Sequence, residues 1–259
     1  MIHKRLVTNL LHFNNLRKLL GNVSYSLAAK AKLKLEIIDS PPTGNVLVLS
    51  PHPDDDVFGC GGALALHQKN GDKIKIVYLT SNPERKVEAT DASCALNFDD
   101  LVFLDLVEGK FSADKKTIEK LLDIISDFKP NTIYCPNFAD PHPDHFETAS
   151  ILAVALKKLP AKIANSISIL LYEIWTPIYA NRLLKIDSVI EIKKAAISCH
   201  RSQMKERQYL NAILGLNAYR AGMFSAGHYA EAFTSLNSQL FLALFSAFSL
   251  NPKSLPNQD

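Results

Sequence analysis

No Cys-x-x-Cys pair joins the four cysteines, Cys60, Cys94, Cys135 and Cys199. That excludes a cysteine zinc knuckle and gives no disulfide framework, so a reducing, cytoplasmic compartment is expected. No apolar run reaches the roughly 18 residues of a membrane-spanning helix. The amino terminus lacks both a continuous apolar core and a small-residue cleavage site, which argues against a secretory signal. Net charge is only +3, too little to imply a nucleic-acid partner. Gly59-Cys60-Gly61-Gly62 does not fit GxGxxG, and no Lys-Ser/Thr follows it, which excludes a dinucleotide or P-loop reading. Internal repeats and low-complexity segments are missing as well. Residues 1–35 carry seven Lys/Arg and no Asp or Glu.

What is present is an ordinary globular composition, 47% hydrophobic and 21% charged over 259 residues, enough for one sizeable core. Residues 3–35 place Leu6, Leu10, Leu11, Phe13, Leu16, Leu19 and Leu20 near 3–4 spacing with basic residues between, which predicts a basic amphipathic helix with a break at Gly21. Pro41-Pro42-Thr43-Gly44 is a turn. Strand-like runs follow at 45–50, 74–80, 101–104, 131–135 and 167–175. Helix-like segments lie between them at 59–70, 84–97, 114–129 and 145–159. Asp114 is positioned to cap one of these helices and Pro130 to stop it. Residues 189–213 read as helical and basic, and 234–249 as an apolar closing helix. The rhythm predicts an α/β fold: a Rossmann-like, mostly parallel sheet with helices on both faces. The expected organisation is a basic helical extension (1–40), one domain (41–250) and a polar tail (251–259).

Chemistry concentrates at two points. Ser50-Pro51-His52-Pro53-Asp54-Asp55-Asp56 follows the apolar run Val46-Leu47-Val48-Leu49. Pro141-His142-Pro143-Asp144-His145 follows the strand-like run at 131–135. Strand ends are where α/β enzymes place their sites. Either cluster alone reads as an ordinary turn, in which Pro fixes φ and Asp caps the next helix. Two of them together supply a His₂Asp set, His52, Asp55 and His145, suited to a metal that keeps a position open for water. Zn²⁺ fits that set, and so does Fe²⁺. Asp54 stands where a general base belongs. His142 is placed to stabilise an oxyanion or protonate a leaving group, and Asp144 to orient an imidazole.

These motifs, with Gly61-Gly62 downstream of the first, resemble the PIG-L/LmbE-like de-N-acetylases over roughly residues 45–235. The resemblance implies a zinc-dependent hydrolase that removes the acetyl group from an N-acetylglucosamine-type sugar or glycoconjugate. It implies His52, Asp55 and His145 as metal ligands, Asp54 as base, His142 as the group facing the tetrahedral intermediate, and Asp144 as its orienting neighbour. Thr80-Ser81 with Arg85 and Glu88 is similar to a family segment in which an arginine contacts the sugar. Tyr172-Glu173-Ile174-Trp175, His200-Arg201-Ser202-Gln203 and Tyr229-Ala230-Glu231-Ala232-Phe233 resemble segments of bacterial members. Asp56 stands where the family commonly has Glu.

Arg85, Glu173, Trp175 and His200 are therefore candidate substrate contacts. Each has a plainer reading: a solvated helix residue, a strand-end carboxylate, a core indole and a helix cap. The resemblance implies a small-molecule or lipid-linked amino sugar as substrate. Residues 1–35 either pack on the domain or touch the inner face of a membrane. Two other functions use the same residues: a metal-dependent carbohydrate or lipid-headgroup binding module without turnover, and an amidase acting on a non-acetyl amide.

Overall fold

The computed structural model describes residues 34–249, so the readings of 3–33 as helix and of 251–259 as a tail lie outside the described residues. One eight-stranded sheet runs in the order β1-β7-β8-β6-β5-β2-β3-β4. Its strands are β1 (Glu36–Ile38), β2 (Val46–Ser50), β3 (Ile74–Thr80), β4 (Leu101–Leu106), β5 (Thr132–Pro136), β6 (Ser168–Tyr172), β7 (Arg182–Lys185) and β8 (Ala230–Asn237). Neighbours pair in parallel except β8, which runs antiparallel to both β6 and β7.

Central β2 is buried along its whole length, as a strand covered on both faces must be. Its side chains alternate between two cores. Val46 and Val48 enter one with Leu64, Ala92 and Ile197, contributed by helices α1 (Asp55–Asn70), α2 (Pro83–Ala95) and α6 (Ile190–Cys199). Leu47 and Leu49 enter the other with Ile125, Leu152 and Phe241, from α3 (Lys115–Phe128), α4 (Pro143–Lys158) and α9 (Ser238–Ser249). The expected layering, helices on both faces of a mostly parallel sheet, is what forms.

Local chemistry sets the helix ends. Asn82 accepts the Arg85 amide at 2.9 Å with Pro83 in the first turn, and Asp114 accepts the Thr117 amide at 2.9 Å. Between α1 and the sheet, a Cβ on Gly59 would overlap the Tyr172 ring, and one on Gly62 would stand 2.6 Å from Ile186. Glycine there lets the helix lie close to the strands.

Several elements depart from the sequence reading. Glu36–Ile38, assigned to the helical extension, is an edge strand on β7. The run 234–249 splits into buried β8 and α9, with Asn237 accepting the Leu240 amide at 2.8 Å where the helix begins. The region 189–213, expected to be helical, is divided among three helices: α6, α7 (Arg201–Glu206) and α8 (Tyr209–Phe224). Glu88 forces the first break, because its carboxylate accepts both the amide and the hydroxyl of Ser202 at 2.7 Å and so caps a new helix. A short α5 (Ala161–Ala164) precedes β6. No helix among the described residues is long and apolar enough to cross a membrane.

The chain leaves β2 towards β3 and leaves β5 towards β6, on opposite sides of the β2–β5 pair. Connections that diverge in this way open a crevice at the carboxyl ends of the two strands. Both His/Asp clusters stand there.

Candidate active site

The loop after β2 brings His52, Asp54 and Asp55 to the crevice, and the loop after β5 brings Asp140, His142, Asp144 and His145. His52, Asp55, Asp144 and His145 form one buried constellation. Nδ1 of His52 lies 2.9 Å from Asp55 Oδ2, and Nε2 of His145 lies 3.5 Å from the same oxygen. The far ring nitrogens face carboxylates: His52 Nε2 is 3.1 Å from Asp144 Oδ2, and His145 Nδ1 is 3.1 Å from Asp140 Oδ1. Each imidazole thus turns one nitrogen inward and has a carboxylate behind the other, the arrangement that orients metal-ligating histidines. His142 brings a third imidazole, and ring nitrogens of His52, His142 and His145 all lie within 4.8 Å of one another.

Electrostatics agree with a cation site. Burial pushes His52 down, but Asp55, Asp144 and Asp54 outweigh it and hold its pKa at about 10. His145 is likewise depressed by burial, then raised to about 9 by Asp55 and Asp140. Both ring nitrogens of His145 are buried, and neither completes a hydrogen bond among the described residues. Buried imidazole nitrogens left without a hydrogen bond, among carboxylates in a strongly negative field, are what a divalent ion would satisfy. The donor set therefore fits a metal.

Asp54 is the N-cap of α1, yet its carboxylate makes no capping bond. One oxygen, Oδ1, meets Arg85 Nη2 at 2.7 Å. Burial and the neighbouring charge of Asp55 raise its pKa to about 6, with Arg85 and the histidines working against them. A carboxylate tuned towards neutrality suits general-base work. Asp56 is turned away: its carboxylate accepts the Tyr78 hydroxyl at 2.9 Å, its amide donates to the Ser50 hydroxyl oxygen at 3.1 Å, and burial raises its pKa to about 7. Its role is to hold the loop.

His142 caps α4, its Nδ1 accepting the Asp144 amide at 3.2 Å. That leaves Nε2 to carry the proton in the neutral ring, beside the positive end of α4. Asp144 Oδ2 also accepts the Gly109 amide at 3.0 Å, which draws the loop after β4 over the site.

The crevice opens into a cleft of about 200 Å³ lined by His52, Asp54, Arg85, His142, Trp175 and Arg207, among others. Trp175 is 42% exposed at its rim, so the core reading of this indole does not hold. Two expected substrate contacts do not reach the cleft. Glu173 is held in a buried pair by Arg220, at 3.0 Å to Nε and 2.5 Å to Nη2, and also accepts the Ile178 amide. His200 is wholly buried and edge-on to Phe58 at 6.0 Å, and desolvation drops its pKa to about 4. Neither His200 ring nitrogen has a hydrogen-bond partner among the described residues. Sequence reasoning missed Asp140, whose only signal was its place two residues before His142. It also missed the rim residues Glu108, Arg207 and Tyr209, which carry no motif.

Comparison with known proteins accords with this geometry. The family model described as PIG-L, GlcNAc-PI de-N-acetylase, matches residues 47–156, which span both His/Asp loops. The chain is 30% identical over 186 residues to the probable N-acetyl-alpha-D-glucosaminyl L-malate deacetylase 2 of Bacillus subtilis, covering 61% of this chain and 83% of that one. It is 28% identical over 235 residues to the 4-oxalmesaconate hydratase of Pseudomonas putida, covering 75% and 90%. Among solved structures it is similar to a conserved protein of Thermus thermophilus, with TM-score 0.66, 27% identity and coverage of 74% and 94%. With two His/Asp loops meeting at the β2–β5 crevice of this sheet, the chain belongs to the PIG-L de-N-acetylase family.

Proposed function

We propose that the protein is a metal-dependent deacetylase acting on an N-acetylglucosamine-type sugar or glycoconjugate. The observation that carries this reading is the pairing of a carboxylate-backed His52/Asp55/His145 set with Asp54, a buried carboxylate left uncommitted by its own helix. His52, Asp55 and His145 would hold the ion, Zn²⁺ or Fe²⁺, with Asp140 and Asp144 behind the imidazoles. When bound, such an ion would supply Lewis-acid polarisation of the amide carbonyl and would acidify water. Asp54 takes a proton from the attacking water, and Arg85 keeps its carboxylate aimed. Nε2–H of His142 donates to the oxyanion that develops on the acetyl oxygen, helped by the α4 amino terminus. The proton on Asp54 passes to the amine nitrogen as the C–N bond breaks, giving acetate and a free amino sugar. The cleft has room for about one sugar ring, with Trp175 offering a face to its apolar side. A lipid-linked substrate remains within the reading, since the basic composition of residues 1–35 suits an anionic membrane surface.

The test is acetate release from a panel of N-acetylglucosamine conjugates by the metal-loaded protein and by Asp54→Asn. Turnover should fall about 10²–10⁴-fold in the variant while metal binding persists. Equal rates for the two proteins would refute the assignment of Asp54, and no release across the panel would refute the sugar deacetylase reading.

One observation favours a second reading: the similarity to 4-oxalmesaconate hydratase spans 75% of this chain. The same base and metal set would add water across an activated carbon–carbon double bond, with Arg85 and Arg207 at the cleft facing a substrate carboxylate. Loss of conjugated-diene absorbance without acetate release would favour it.

A further inference from the structure

The geometry points to Asp140 as a positioning residue that couples the metal ligand His145 to the substrate-facing rim at Trp175. The inference rests on the reading of His52, Asp55 and His145 as metal ligands. The Asp140 side chain is 2% exposed. Both of its oxygens are committed, and to different parts of the site. Oδ1 lies 3.1 Å from His145 Nδ1 and accepts the His142 amide at 3.0 Å. Oδ2 accepts the Trp175 amide at 3.0 Å. One carboxylate therefore holds the ring of a ligand, the start of α4 and the segment that leaves β6.

Each attachment has a consequence. A carboxylate on the far nitrogen of a ligating imidazole fixes its tautomer and orientation and raises its basicity. With an ion bound, it would keep the ring proton on Nδ1 and leave Nε2, 3.5 Å from Asp55 Oδ2, free to ligate. The amide bond on the other side sets where the Trp175 backbone stands, and so where the indole meets substrate. The indole itself is framed by Arg207, 5.0 Å from its ring, and by Tyr209, edge-on at 6.1 Å. The far end of the segment is tied separately, through the Ile178 amide on Glu173. Of these two ties, the one through Asp140 leads into the metal centre. A metal ion that fixes the His145 ring thus fixes Asp140, and through it the rim. Occupancy of the centre is transmitted to the surface that receives the sugar.

Trp175 is the sole tryptophan, so the coupling has a direct optical readout. Zn²⁺, with its filled d shell, is a suitable probe. Full-length protein stripped of metal is titrated with zinc while two quantities are followed: occupancy, by competition with a chromophoric chelator, and Trp175 emission. In the wild type the emission should change in proportion to zinc bound. Asp140→Asn, nearly isosteric, should bind zinc about 10- to 100-fold more weakly, and its emission should no longer follow occupancy. A structural role alone would not make the indole report the ion. Equal zinc affinity in wild type and variant, or wild-type emission that stays flat while zinc binds, would overturn the coupling. The wild-type emission needs no variant to fold. Wild-type protein that takes up no zinc would overturn the metal reading itself, and the coupling with it, so the two failures are told apart by the chelator signal.

Discussion

Of the buried polar clusters along α1, two have opposite characters. Midway along the helix, Lys193 is wholly buried, and its ammonium donates to Glu231 at 2.6 Å, Asn217 at 3.0 Å and the Phe58 carbonyl at 3.1 Å. Glu231 in turn accepts the Gly62 and Ala63 amides at 2.6 and 2.8 Å. Those amides need a partner because α1 loses helical geometry at Cys60, with φ −141° and ψ 19°, and restarts beyond it. Every proton and lone pair in this cluster that matters has found its match inside the protein. At the amino terminus of the same helix, Asp54 ignores its capping duty, Asp55 stands between two imidazoles, and both buried ring nitrogens of His145 lack a hydrogen bond among the described residues. Burial and charge density are similar in the two places; completeness is not. A satisfied buried network holds a fold together, whereas an unsatisfied one awaits a ligand.

The contrast can be broken from either side. The largest effect should come from metal removal. Chelation should abolish turnover, beyond about 10³-fold, and zinc should restore it. Zinc at about 100 times its dissociation constant should add roughly 3 kcal/mol of stability, read by denaturant unfolding. The Lys193 cluster should be indifferent to both treatments. Lys193→Met should do the reverse. It strands the Glu231 carboxylate without its cation, so stability should fall by about 3–5 kcal/mol while the folded fraction keeps near wild-type kcat. A variant with normal unfolding and lost turnover would show that the two clusters are not separable.

His200 lies between these extremes, buried and neutral with no hydrogen bond among the described residues. Its pKa is about 4 in the folded protein, below the ordinary value of 6.5. The unfolded chain therefore takes up the proton first as pH falls. Stability is unaffected above pH 6.5 and declines between about 6.5 and 4, by on the order of 3 kcal/mol. His200→Phe should flatten that limb of the pH–stability curve, measured by urea titration at pH 7 and pH 4.5. The smallest effect is expected at the rim. Trp175→Ala should raise KM roughly fivefold, about 1 kcal/mol of lost stacking, with kcat within about twofold.

The legibility of the sequence divides along a similar line. Strands β2 and β3 were read at 45–50 and 74–80 because long β-branched and aliphatic runs stand between turn residues; they form at 46–50 and 74–80. The two His/Asp loops were readable because histidine, proline and aspartate were crowded into a few positions each. Strands β1 and β7 were missed, having only three and four residues to show a pattern. Strand β8 was half absorbed into a helix because burial on both faces erases alternation. Glu173 and Glu231 stand in motif-like segments, but their partners, Arg220 and Lys193, are 47 and 38 residues away, and no local pattern announces a distant cation. Asp140 escaped for the same reason: its meaning depends on the Trp175 amide, 35 residues on.

The division of the centre between the loops after β2 and β5 bears on how the molecule assembles. His52 and Asp144 are 92 positions apart and meet only when β2 and β5 lie side by side. A chain emerging from the ribosome holds half a binding site until the second loop appears and the two central strands register. An ion would therefore have little to bind in the unfolded chain, and its uptake would mark the pairing of β2 with β5 rather than the formation of either strand. Time-resolved zinc capture during refolding would act as a clock for that pairing. A fragment ending before residue 140 would be blind to the metal, however well its own helices and strands had formed.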